Sequence, residues 1–236
     1  MNVITEKYIE VLRKFKEIGY EARSFHEFCP RKSHLLIRHD VDVSIEHAHK
    51  IATIENEFGW TSVYFILLSS PFYNTLDPQN VKRLREMVAM GHEVAVHLEI
   101  EANVNLQQKA ENEAKILQNI TDQKVKLISF HRPSANAAEF NFEDYRFNGF
   151  HHTYEKRFFH DIGYISDSRG AWHYGRPLDH QSVKNGTALQ FLTHPIWWTS
   201  NEGEQTPRDK LQIFRQDLDI QLLEQMKLNF DVGWDL

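Results

Sequence analysis

The chain has 236 residues, of which 41% are hydrophobic and 25% charged, with a formal charge of -6 at pH 7. This balance and the lack of a basic run exclude a typical nucleic-acid-binding protein, and the single cysteine, Cys29, excludes an intrachain disulfide framework and a thiolate zinc cluster. No apolar run reaches the length of a membrane span and the first residues lack a signal-peptide pattern, so we expect a cytoplasmic protein without a membrane span.

Helical and strand patterns alternate along the chain, and cap residues mark several helix ends. In chain order, the patterns predict helix 5–18, strand 33–37, helix 45–58, strand 61–68, helix 78–90, strand 93–96, helix 106–120, strand 125–130, strands 163–166 and 188–192, and helix 207–230. Residues 135–160 are aromatic-rich and stay unassigned. The alternation predicts one α/β domain over residues 1–236, with a mostly parallel sheet that is either open or closed into an irregular barrel.

Each predicted strand ends in polar residues, which parallel strands bring to one rim of the fold. The first strand ends in Asp40 and Asp42, whose side chains leave the same face of an extended segment. Two such carboxylates either share a cation or divide into a base and a metal ligand. The alternative is structural: Asp42 caps the next helix and Asp40 pairs with Arg38. Three enzyme classes carry this pair after a strand, namely phosphatases, nucleotide-sugar glycosyltransferases and polysaccharide-type deacetylases.

The third predicted strand ends in a histidine that is well placed to bind a metal ion. His97 closes the segment GHEVAVH, and Glu99 and Glu101 follow it closely. Two or three histidine or carboxylate ligands with one open position are typical of a catalytic metal. Together with the two aspartates, His97 therefore predicts a divalent metal site at this rim.

Five short motifs between residues 35 and 195 resemble those of the polysaccharide deacetylase superfamily, the NodB-homology enzymes of carbohydrate esterase family 4. In chain order they read RHDVD, GHEVAVH, FHRP, SDSRGAW and LTHP. The combination of HDVD, SDSRGAW and HPIWW is similar to a WbmS-like subgroup associated with surface-polysaccharide gene clusters. The resemblance implies an irregular (β/α) barrel of the glycoside hydrolase/deacetylase type, formed by mostly parallel strands.

The resemblance also implies a role for each matching residue. Asp40 matches the general base, and Asp42 and His97 match metal ligands, with zinc the expected metal. His194 matches the general acid, and Asp167 would orient it. Two further matches concern the substrate: Trp172 would line the acyl pocket, and the backbone N–H of Ser134 would help to hold the oxyanion.

Two motifs depart from the family pattern. The family's second ligand histidine falls four residues after the first, where this chain has Glu101, so Glu99, Glu101 or His131 is expected to complete the metal site. The family's Arg-x-Pro motif reads His131-Arg132-Pro133 here. Either Arg132 pairs with Asp40 from a shifted register, or His131 replaces the arginine or becomes a ligand.

The expected function is therefore metal-dependent hydrolysis of an N-acyl bond, as in the deacetylation of an amino sugar or a surface-polysaccharide precursor. Four further side chains are candidates for contact with this carbohydrate: Arg38 and Arg169 for an anionic group, and Trp197 and Trp198 for a wall of the pocket. A carbohydrate-binding relative with an altered metal site is the main alternative, and a glycosyltransferase or phosphatase is the third. The oligomeric state stays open.

Overall fold

The computed structural model describes residues 2–3, 7–133, 141–173, 175–199 and 206–230. Its helices are α1 (Tyr8–Glu17), α2 (Ile45–Phe58), α3 (Pro78–Ala89), α4 (Leu106–Thr121), α5 (Lys156–Phe159), α6 (Gln181–Asn185) and α7 (Pro207–Asn229). Its strands are β1 (Asn2–Val3), β2 (Glu21–Ala22), β3 (His34–Val41), β4 (Val63–Ile66), β5 (Glu93–Glu99), β6 (Leu127–His131), β7 (His151–His152), β8 (Gly163–Ser166), β9 (Ala171–Trp172) and β10 (Leu189–Thr193).

The main sheet is parallel throughout and has the strand order β7-β6-β5-β4-β3-β10-β8, with β2 paired to the first residues of β3. It curls into a half-barrel, and its two outer strands, β7 and β8, are not paired to each other in the described part of the chain. The prediction of an α/β fold with a parallel sheet and deacetylase-type barrel architecture is confirmed.

The two faces of the sheet bury different side chains, because neighbouring residues of a strand point to opposite sides. On β3, Leu35 and Ile37 belong to the large core between sheet and helices, while Leu36 belongs to a smaller core inside the curl. Arg38 and Asp40 share the inner face with Leu36 and lie nearer the carboxyl end. The apolar residues therefore fill one end of the barrel interior and leave polar residues at the other.

Local chemistry explains several helix boundaries. The Ser44 side chain accepts a hydrogen bond from the His47 backbone N–H at 3.2 Å and begins α2. Gly59, with a φ of 81°, ends it. Asp77 caps α3 directly before Pro78. These three ends are where the sequence predicts them.

The largest difference from the predicted elements is at β3, which runs to Val41 rather than ending near Ile37. All eight of its residues are buried, including Arg38, His39 and Asp40. The charged residues after Ile37 end the apolar pattern from which the strand was predicted. The strand continues because Arg38 and Asp40 pair with each other inside the barrel. The part of the chain that the structure describes holds no helix long and apolar enough to cross a membrane.

Candidate active site

The carboxyl ends of the parallel strands surround one cavity of about 1190 Å³. Ionisable side chains from the ends of β3, β5, β6 and β10, or from the residue directly after, line it: Asp40, Asp42, His97, His131 and His194. Strands of a parallel barrel bring their carboxyl ends together, which explains why residues so distant in sequence meet here. This rim is the candidate active site.

Asp40 is held by the arginine two residues before it on the same strand. Arg38 Nε and Nη2 each donate to one Asp40 carboxylate oxygen at 2.8 Å, and Nη1 donates to Gln190 Oε1 at 3.2 Å. Burial raises the pKa of Asp40, but the charge and hydrogen bonds of Arg38, together with His97 and His194, outweigh burial and hold the pKa below its usual value. Asp40 is therefore an ionised carboxylate in a fixed orientation.

This pairing alters two expectations for arginines. Arg38 is fully buried and its guanidinium is engaged by Asp40 and Gln190, so it is not placed to hold an anionic group of a substrate. Arg132 was the alternative partner for Asp40, but it is exposed at the cavity wall. The arginine that fixes Asp40 is thus supplied by β3, where an inward-facing residue two positions earlier reaches the same carboxylate.

Asp42, His97 and His131 form a cluster in which one potential ligand atom of each lies within 4.8 Å of the others. His97 Nε2 is 3.1 Å from Asp42 Oδ1, and no other described group makes a hydrogen bond to that buried oxygen. A buried carboxylate oxygen this close to an imidazole nitrogen shares either a proton or a cation with it. One carboxylate and two imidazoles are ligands that zinc and similar divalent ions accept, so the residues present fit a metal site.

Each histidine of the cluster has its Nδ1 engaged by a neighbour. His97 Nδ1 lies 2.5 Å from Ser129 Oγ, and His131 Nδ1 lies 2.7 Å from Glu99 Oε2. Such partners orient a ligand histidine and leave its Nε2 to bind metal. Glu99, expected as a possible ligand, is therefore placed to orient His131.

Glu101 lies apart from the cluster. Strand β5 ends at Glu99, and Glu101 follows in a loop, half exposed, with its carboxylate 2.7 Å from Lys109 Nζ. The structure therefore does not place Glu101 where the family spacing would require a ligand. The histidine that joins Asp42 and His97 instead comes from β6, as His131.

His194 and Asp167 form a second hydrogen-bonded pair across the cavity. His194 Nδ1 lies 2.6 Å from Asp167 Oδ1, and the His194 backbone N–H donates to both carboxylate oxygens at 3.0 Å. Burial lowers the pKa of His194, but the charge and hydrogen bond of Asp167, together with the charges of Asp42 and Asp40, outweigh burial and raise the pKa to about 9. Its Nε2 lies 3.8 Å from Asp42 Oδ2. Asp167 thus holds His194 by Nδ1 and leaves its Nε2 facing the cluster, the position from which an imidazole can donate a proton.

The expected aromatic walls are only partly at the cavity. Trp197 lines it, together with Arg132 and Arg169. Trp198 lies behind and donates its indole N–H to Asp167 Oδ2 at 2.7 Å, so it orients Asp167. Trp172 is 2% exposed and packs on Phe191 in the main core, away from the cavity lining. Ser134 lies outside the described residues.

A buried charge behind the sheet was missed by the sequence analysis. Glu55 on α2 is fully buried and accepts hydrogen bonds from four groups. Its donors are Tyr8 Oη at 2.5 Å, His39 Nε2 at 2.9 Å, Ser62 Oγ at 2.5 Å and Tyr64 Oη at 2.7 Å. The other ring nitrogen of His39 is 2.7 Å from Thr193 Oγ1, next to His194. The only sequence signal was an acidic residue on the apolar face of α2, four positions after Ile51.

Replacing Glu55 with glutamine is expected to lower the free energy of unfolding by roughly 2–4 kcal/mol at pH 7, because an amide cannot accept from all four donors. Burial raises the pKa of Glu55, but His39 and the other donors lower it to about 2. Because the pKa is lowered on folding, ionised Glu55 stabilises the fold fully above its unfolded-state pKa of about 4.3. This stabilisation is lost as the pH falls toward 2.

Urea unfolding of the wild type and Glu55→Gln at several pH values measures this difference. It should be constant above about pH 5 and shrink below it. Glu57→Gln, an exposed change on the same helix, is the control and should have little effect. Equal stabilities for wild type and Glu55→Gln at pH 7 would contradict this account of the network.

No protein-family model and no curated protein matches the chain. Solved structures that resemble it include a family 4 carbohydrate esterase from Bacillus anthracis, with 14% identity, a TM-score of 0.45 and coverage of 94% of this chain and 90% of that one. A deacetylase from Streptococcus pyogenes in complex with acetate has 14% identity, a TM-score of 0.45 and coverage of 90% and 88%. A family 4 pseudoenzyme from Bacillus anthracis has 12% identity, a TM-score of 0.45 and coverage of 94% and 85%. At such low identity, the similarity says nothing about the activity of this chain.

Proposed function

We propose that this chain is a metal-dependent hydrolase that cleaves an N-acyl bond, with an N-acylated amino sugar or surface-polysaccharide precursor as its substrate. One observation carries the proposal: a candidate metal cluster, the carboxylate of Asp40 held by Arg38, and the imidazole of His194 held by Asp167 all lie at one cavity. Amide hydrolysis requires a nucleophile, stabilisation of an oxyanion and a proton for a poor leaving group. The sugar as substrate rests on the resemblance of the five motifs.

Asp42, His97 and His131 would hold the metal, for which the two imidazoles and one carboxylate favour zinc. A divalent cation there would acidify a water molecule and polarise the acyl carbonyl. The carboxylate of Asp40 accepts the proton of the attacking water, since Arg38 keeps it ionised and oriented. His194 donates a proton from Nε2 to the leaving nitrogen, while Asp167 holds Nδ1.

The two departures from the family motifs compensate for each other in this scheme. In the third motif this chain has His131 where the family has its arginine. His131 serves as the third ligand, because Glu101 stands where the family has its second ligand histidine. An arginine stands two residues before Asp40 and takes over the orientation of the base. The site thus keeps the same set of groups, supplied by different strands. This exchange supports a working hydrolase over the alternative of a binding protein with an altered metal site.

Metal removal tests the proposal. Protein loaded with one equivalent of zinc is incubated with N-acetylated amino sugars and their short oligomers, and released acetate is measured. We expect release that stops after dialysis against a chelator and returns when zinc, cobalt or another divalent ion is added. Release at an unchanged rate in the metal-free protein would contradict metal dependence. No release from any of these substrates, with saturable sugar binding retained, would favour the binding-protein alternative.

A further inference from the structure

Two arginines at the cavity wall have no acidic partner in the described structure. Arg132 and Arg169 both line the cavity and are exposed to it, and neither makes a hydrogen bond or ion pair there with a described side chain. Arg38, by contrast, is neutralised by Asp40. Arginine has a planar donor fork that matches carboxylate and phosphate oxygens. The cavity wall therefore offers two guanidinium groups that can bind an anionic group of a ligand.

Both arginines hold backbone conformations that a non-glycine residue rarely adopts. The φ of Arg132 is 49° and that of Arg169 is 58°. Left-handed conformations strain the backbone at residues that carry a side chain. The two turns are adjacent to the site, since Arg132 follows His131 and Arg169 lies two residues after Asp167. Backbone strain clusters at binding and active sites, where the surrounding structure holds it in place.

The charges around the cavity favour an anion although the chain as a whole is acidic. The formal charge of the chain is -6. In the cavity lining, the charge of Asp40 is neutralised by Arg38. Two further carboxylates, those of Asp42 and Glu143, stand against the two arginines Arg132 and Arg169. The formal charges of these four side chains cancel, so a divalent ion on Asp42 would leave the cavity with a net positive charge. This charge favours an acidic sugar over a neutral one.

We propose that Arg132 and Arg169 bind an oxyanion group on the substrate, so that the N-acylated sugar on which this site acts is acidic. This inference rests on the proposed function for the reaction and on the two arginines for the substrate class. A cavity of about 1190 Å³ has room for a sugar with a charged substituent beyond the reacting amide. The shared chemistry is a carboxylate or a phosphate, from a sugar acid or a sugar phosphate.

Binding measurements separate this inference from catalysis. Calorimetric titrations of zinc-loaded protein use N-acetylglucosamine, its 6-phosphate and the corresponding N-acetylated uronic acid. Asparagine tolerates a positive φ, so Arg132→Asn, Arg169→Asn and the double variant remove the guanidinium with little backbone strain. Arg31→Asn, at an exposed arginine outside this cavity, is the control for a change of one charge.

We expect at least one acidic sugar to bind about 10-fold or more tightly than the neutral one, since charge-assisted bidentate hydrogen bonds are stronger than neutral ones. Each single variant should reduce this preference and the double variant should abolish it, with binding of the neutral sugar and the Arg31→Asn control unchanged. The better of the two acids identifies the anionic group. Equal affinities, or a preference that survives in the double variant because the metal alone binds the anion, would overturn the inference.

The two proposals fail in different ways. Acetate release from neutral and acidic sugars with equal kcat/KM would agree with the hydrolase proposal and contradict the preference for an acidic substrate. Arginine-dependent binding of acidic sugars without any acetate release would confirm the oxyanion site and contradict the hydrolase.

Discussion

His131→Ala is expected to weaken zinc binding by about 100-fold or more and to lower acyl release by a factor of ~10³ or more. His131 supplies one of three protein ligands, and a site of one carboxylate and one imidazole does not hold a catalytic ion well. Competition with a chromophoric chelator measures the affinity, and acetate release measures the activity. Because His131 borders the cavity, water can fill the space left by the smaller side chain, so the variant should fold.

Two matched variants make this expectation specific. Glu101→Ala changes the residue at the family's ligand spacing and should leave zinc affinity unchanged, because its carboxylate is paired with Lys109 in an exposed loop. Glu99→Ala removes the acceptor of the His131 Nδ1–H and should weaken zinc binding about 10- to 100-fold. A larger loss of affinity in Glu101→Ala than in His131→Ala would show that the metal is held elsewhere.

Asp40→Asn is expected to lower kcat by ~10² to 10⁴ while the protein still binds one zinc ion. An amide cannot accept the proton of the attacking water, and this is the range that removal of a general base typically costs. Both Asp40 oxygens face Arg38 rather than completing the cluster of Asp42, His97 and His131, so metal binding should persist. Acetate release under saturating substrate measures the change.

The stability of this variant requires its own control, because Asp40→Asn leaves Arg38 as a buried unpaired charge, which costs roughly 3–5 kcal/mol. The double variant Arg38→Met with Asp40→Asn removes both charges and is expected to recover most of the stability without recovering activity. A double variant that hydrolyses the substrate at the wild-type rate would contradict the role of Asp40 as base.

The positions of the main site residues could be predicted because each follows an apolar strand. Once the strands alternate with helices, Asp40, Asp42, His97 and His194 must meet at one rim, and the structure places all four in the cavity. The roles within the cluster could not be predicted in the same way. The competition between His131 and Glu101 depends on where β5 ends, and sequence patterns locate strand ends poorly because charged residues continue β3 and β5 inside the barrel.

Packing across the sheet was also beyond the sequence pattern. Because side chains alternate along β3, Arg38 and Asp40 lie on the same face. They must pair because both are buried, and a buried charge without a partner would destabilise the fold. Trp172 and Trp198 belong to motifs that also carry site residues, yet both side chains pack in the main core. A short segment after a strand can leave in either direction, and neighbouring aromatic side chains decide which.

The central claim is that Asp42, His97 and His131 hold one catalytic metal ion, and the most direct test is the X-ray absorption spectrum of protein that carries one equivalent of zinc. We expect a first shell of nitrogen and oxygen atoms at about 2.0–2.1 Å with the multiple-scattering features of two imidazoles. The His131→Ala variant should show only one. Failure to bind one equivalent of zinc, or a wild-type spectrum with a single imidazole, would contradict the claim.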